Sequence, residues 1–71
     1  MTDTIELEVA LKRANVSRKQ ASCALGISVT AFFQKLHNQT EFKASEINKL
    51  AEMLSLSPGR RDAIFFKHDV G

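Results

Sequence analysis

The sequence predicts an all-α fold, a compact bundle of four to five short helices that contains a helix-turn-helix. Three observations predict it. Apolar residues recur at helical spacing throughout the chain, with no alternation of period two to mark a strand. Residues 17–38, SRKQASCALGISVTAFFQKLHN, read as two short cap-initiated helices joined by one glycine turn. Five helices with short connections use up the 71 residues and leave no room for a sheet.

The first helix starts near Asp3 or Thr4. Asp3 with Glu6 is a cap-like pair that sets acids at the positive helix end. Leu7, Ala10, Leu11 and Ala14 form its apolar stripe, with Lys12 and Arg13 off it. Asn15 and Val16 connect it to the next helix, and Val16 is expected in the core. The second helix runs from Arg18 to Leu25 behind a capping-box pair, Ser17 and Gln20. Gly26 stands where a helix ends in the left-handed conformation, which glycine adopts without steric cost. Ile27 is the apolar turn residue. Ser28 caps a third helix from Val29 to about His37. A polar loop follows, from Asn38 to Lys43, with Phe42 expected to plug the core. The fourth helix spans about Ala44 to Leu54, where Ile47, Leu50, Ala51 and Leu54 keep i, i+3, i+4, i+7 spacing and Glu46 lies in the first turn. Ser57-Pro58 is an N-cap followed by proline at the first helical position. It opens a short fifth helix that carries Ala63, Ile64 and either Phe65 or Phe66. The terminal IFFKHDV would either close the core or form a dimer seam.

A chain of this length is one domain, residues 1–71, and buries only about 60% of its unfolded surface, so a deep substrate cavity is not expected. Its 44% hydrophobic content fits a folded globule. No apolar run approaches the roughly 18 residues of a membrane span. The start MTDTIELE lacks the basic region and apolar core of a signal peptide. Cys23, the single cysteine, has no internal disulfide partner and is expected as a small packing residue. These features suit a reducing cytoplasm. Net charge is only +2 but is unevenly spread. Residues 12–43 hold Lys12, Arg13, Arg18, Lys19, Lys35 and Lys43 against Glu41 alone, whereas the remainder is net acidic. Positive charge thus gathers around the two-helix motif, as a phosphate-binding face requires.

Arg18 to Asn38, followed by a loop, EFKASEINKLAEMLSLSP and a terminal IFF, resembles the Cro/C1-type (lambda-repressor-like) helix-turn-helix family. It is most similar to the short regulators of phages and prophages. The resemblance covers nearly the whole chain and is most specific in the ALGIS turn and the SEINKLAEMLSLS helix. It implies a compact bundle of four or five helices, operator DNA as ligand and often a two-fold dimer. The chain departs from the family in three places. Arg18 stands where many relatives carry glutamine, and Ser22 where alanine is usual. The apolar pair Phe32 and Leu36 is spaced by four rather than three, so either Phe32 or Phe33 could face the core.

No converging set of reactive groups is visible, so an enzyme is not expected. His37 and His68 have no cysteine or carboxylate at metal-ligand spacing, and His68 is expected as a solvated tail residue. No cofactor is implied. The binding residues fall by position. The free amides at the start of the second helix would face a phosphate, assisted by Ser17, Arg18 and Lys19. Ser28, Val29 and Thr30 lie at the end of the third helix that would enter the major groove, with Phe33, Gln34 and His37 further along that face. Thr30 and Gln34 can bond base edges, and Val29 and Phe33 suit a thymine methyl. Phe33 is either core or exposed. Partial exposure is favoured, because Phe32 and Leu36 already form an inward pair and Phe33 lies about 100° around the helix. Lys35, Asn38 and Lys43 would meet phosphates beyond the helix, and Gln39 and Thr40 would either join them or form a solvated loop.

The expected function is that of a sequence-specific transcription regulator, Cro-like or repressor-like, acting on double-stranded operator DNA in a bacterial cytoplasm. A homodimer fits that role. The alternative is a protein-interaction module, such as an antirepressor that binds another phage regulator through the apolar third helix.

Overall fold

In the computed structural model residues 1–67 are described; His68, expected as a solvated tail residue, lies outside them, as do residues 69–71. Five helices form an all-α bundle: α1 (Thr4–Arg13), α2 (Arg18–Leu25), α3 (Val29–Leu36), α4 (Ala44–Met53) and α5 (Pro58–Phe65). No strand occurs among the described residues.

Each start is set by a local bond. Asp3, Ser17, Ser28 and Ser57 precede α1, α2, α3 and α5 in extended conformation, and their side chains accept from the N–H of Glu6, Gln20, Ala31 and Arg60. Gln20 Oε1 also accepts from Ser17 N, which completes the expected capping box. Lysine has no acceptor, so Lys43 cannot cap α4 with its side chain. Glu46 reaches back instead, and its Oε1 accepts from Lys43 N at 2.8 Å.

The first four helices close alike. Asn15, Gly26, Asn38 and Ser55 all adopt positive φ. In each case the next residue's N–H bonds to a carbonyl five positions back: Val16 to Leu11, Ile27 to Ser22, Gln39 to Gln34 and Leu56 to Ala51. This Schellman closure satisfies carbonyls that the helix end would otherwise orphan. Val16, Ile27 and Leu56 then fold back onto the core, whereas Gln39 remains exposed.

The core is continuous. Leu7, Ala10 and Leu11 from α1 meet Ala21, Phe32, Leu36, Ile47, Leu50, Leu54, Ile64 and Phe65. Phe42 plugs the middle of it. Its ring lies edge-on to Phe32 at 5.8 Å and to Phe65 at 5.4 Å. α2 packs on α3 and α4, and α5 on α1 and α4.

One expectation about packing is corrected. Cys23 is exposed rather than packed, because α2 turns Ala21 and Ser22 inward and Cys23 lies off that line. Ala63 is exposed as well. α5 buries Ile64 and Phe65, and Phe66 faces outward just beyond the helix.

The N-terminal residues stitch the bundle. Thr2 N donates to Asn38 Oδ1 and Thr2 O accepts from Asn38 Nδ2, both at 2.9 Å. Thr4 Oγ1 donates to Leu36 O at 2.7 Å. On the other side Asp3 N donates to Ile64 O, and Lys67 N to Met1 O. One extended segment thus ties the end of α3 to the end of α5.

Candidate nucleic-acid interface

α2 and α3 are joined by Gly26, Ile27 and Ser28, with Gly26 at φ 69°. Their contact is close because the facing residues of α2 are small. Ala21 and Ser22 are buried, and the Ser22 hydroxyl is satisfied by donating to Lys19 O. Serine in place of alanine therefore leaves no unpaired polar atom at the junction. Ile27 packs on the core and holds the turn down.

α3 divides into two faces. Phe32 and Leu36 are fully buried and anchor it, which settles Phe32 as the core aromatic. Val29, Thr30, Phe33 and His37 are exposed on the other side, with Gln34 half-buried at the edge. Val29 is 46% and Phe33 42% exposed. Phe33 is nevertheless held: the His37 ring lies 4.3 Å away at a 51° tilt, and the Arg18 guanidinium carbon sits 6.0 Å from its centroid. Arg18 Nη2 also donates to Glu8 Oε1 at 3.4 Å. Glu8, Arg18, Phe33 and His37 thus form a chain of contacts running from α1 across α2 to α3.

The other expected positions separate into two groups. Ser17, Arg18 and Lys19 are exposed at the start of α2, where the Arg18 and Lys19 amides precede the first intrahelical bonds. Ser28 occupies the same place on α3, and Lys43 is exposed at the start of α4. Lys19 and Lys43 form no salt bridge among the described residues. Lys35 is corrected. Lys35, expected at a phosphate, is half-buried, its side chain 12% exposed, and donates to Glu46 Oε1 at 2.6 Å. Its position on α3 turns it toward α4 rather than along the outer face. Asn38 is exposed, and its amide bonds the Thr2 backbone through Oδ1 and one N–H, which leaves the second N–H to donate outward.

Two contributing residues were not read from the sequence. Glu46 counted only as a first-turn acid, yet it is the buried partner of Lys35. Its carboxyl would be pushed up by burial, but the hydrogen bonds from Lys35 and the Lys43 amide outweigh this and hold it below its ordinary value. Glu8 was one acid among several on α1. No spacing rule relates it to Arg18, because the two lie on different helices.

No group of three or more His, Cys, Asp or Glu side chains that could hold a metal ion occurs among the described residues. No described helix is long and apolar enough to cross a membrane. Comparison with protein-family models, with curated proteins and with solved structures finds no match.

Proposed function

We propose that this chain is a sequence-specific DNA-binding transcription regulator that occupies operator DNA with α3 in the major groove. The observation that supports it is the outward face of α3. Val29, Thr30 and Phe33 are exposed there beside the amide-bearing start of α2. No aspartate or glutamate occurs from Val9 to Thr40, and Glu8, which reaches that face from α1, is paired there with Arg18. The resemblance of the ALGIS turn and the SEINKLAEMLSLS helix to Cro/C1-type regulators points the same way. The protein would act in a bacterial cytoplasm, as a homodimer where the operator has two half-sites.

The test is selection of bound duplexes from a random pool at about 0.1 M salt. An enriched motif is expected, with affinity falling as salt rises. Failure to enrich any motif would overturn the proposal.

A second reading is favoured by the exposure of Val29 and Phe33, which would also serve a protein partner such as another regulator. A folded Phe33→Ala variant that kept its DNA affinity and lost a protein partner would favour it.

A further inference from the structure

We infer that the outer face of α3 reads 5-methyl groups of pyrimidines through a fixed apolar ledge of Val29 and Phe33, so that the preferred site carries thymine against that ledge. The inference rests on the DNA-binding reading. Val29 and Phe33 are one turn apart and both exposed, so their side chains are neighbours on the surface of α3. The Phe33 ring packs against His37 at 4.3 Å and has the Arg18 guanidinium carbon 6.0 Å from its centroid, and Arg18 is bonded to Glu8. Presenting the ring to a groove therefore freezes little motion that was free before. Base edges in the major groove offer mainly donors and acceptors, and the thymine methyl is the apolar exception.

The cations of this region are not placed as guanine readers. Lys35 is taken by Glu46, and Arg18 lies over Phe33 and against Glu8. The side chains that remain suit an A·T pair, since Gln34 can bond the N6 and N7 of adenine while the ledge meets the methyl of its partner. The occupant is a polyanion rather than an acid-poor protein surface. Lys19 and Lys43 lie exposed at the starts of α2 and α4, and Glu8, the carboxylate that reaches the ledge, is paired with Arg18.

The test uses the duplex enriched by the wild-type chain and replaces its thymines one at a time by uracil, which removes only the methyl. One or two positions should lose about fourfold in affinity, the effect of burying one methyl-sized group. That loss should vanish at one position in Phe33→Ala or Val29→Ala and persist elsewhere. At the same step, 5-methylcytosine should bind more tightly than cytosine. Phe33→Leu keeps apolar bulk and should retain part of the discrimination, which covers the case that Phe33→Ala fails to fold. An enriched site with no uracil-sensitive position, or one whose sensitivity survives both alanine variants, overturns this inference and leaves the DNA reading standing. No enriched site at all overturns both.

Discussion

At Glu46 a single oxygen accepts from Lys35 Nζ at 2.6 Å and from Lys43 N at 2.8 Å, and the residue is buried. The native carboxyl is held below its ordinary value near 4.5, so the stability it contributes is complete above that value. That stability is lost as pH falls through the lowered native value. Glu46→Gln should flatten part of the acid unfolding curve. The remainder belongs to other carboxyls, Asp3 among them, which the Glu6 amide and Lys67 also hold low. Glu46→Ala should cost about 1–2 kcal/mol at neutral pH, because it leaves the half-buried Lys35 ammonium and the Lys43 N–H without their acceptor. Urea unfolding at several pH values measures both, and a Glu46→Gln curve parallel to wild type would remove the pair from the account. The neighbouring phenylalanines should separate cleanly. Phe32→Ala opens a cavity in the core and should cost about 3–5 kcal/mol, whereas Phe33→Ala should cost under about 1 kcal/mol. Equal losses in thermal melting would contradict the two-faced α3. Helical periodicity made this pair legible, because Phe32 and Leu36 claim the inward side between them. It did not make Lys35 legible. A lysine one residue before an inward leucine is at the edge of the core, and only the packing of α4 decides whether an acid meets it there.

Among the elements, helix starts were readable because each is decided within four residues. Asp3, Ser17, Ser28 and Ser57 all cap as their chemistry dictates. Ends were readable most directly at Gly26; Asn15 and Asn38 tolerate the left-handed region better than most residues, and Ser55 carries no such signal. All four positions have the same backbone closure, so they should respond to substitution by one rule. Gly26→Ala meets no atom within 4 Å, yet its φ of +69° is strained for any Cβ. The variant should lose about 1 kcal/mol. Ser55 already carries that strain at φ 53°, so Ser55→Gly should gain about 0.5 kcal/mol after the entropy of the freer unfolded chain is counted. Chemical denaturation of the two variants measures opposite signs. A Gly26→Ala variant as stable as wild type would show that the α2–α3 turn closes some other way.

For the whole molecule, the stitch through Thr2, Asn38 and Ile64 could not be seen in the sequence, because its partners lie 36 residues apart or more and at least one side of each bond is backbone, which no residue type marks. The uneven spread of charge could be seen, but not which cations are available. Folding divides them into three kinds. Lys19 and Lys43 are exposed, Arg18 is shared with Glu8 at a solvated distance of 3.4 Å, and Lys35 is neutralised by Glu46. Each phosphate contact adds about 0.9 to the slope of log affinity against log salt on duplex DNA. Arg18→Ala and Lys19→Ala should therefore each lower that slope by about one; Lys19→Ala should weaken binding nearly equally on selected and random duplexes, whereas Arg18→Ala should weaken it more on the selected duplex, because it also releases the Phe33 ring. The double variant Lys35→Met with Glu46→Leu removes the buried pair together. It should leave the slope unchanged, because the pair carries no net charge to exchange for counterions. Glu8→Gln should strengthen binding on both kinds of duplex by freeing Arg18 and removing one negative charge. Titrations at several salt concentrations, on variants first shown to be folded, decide the matter. A slope that falls with the Lys35 pair and not with Arg18 would mean that α3 meets the backbone through its other edge, and the placement of Val29 and Phe33 in the groove would fall with it.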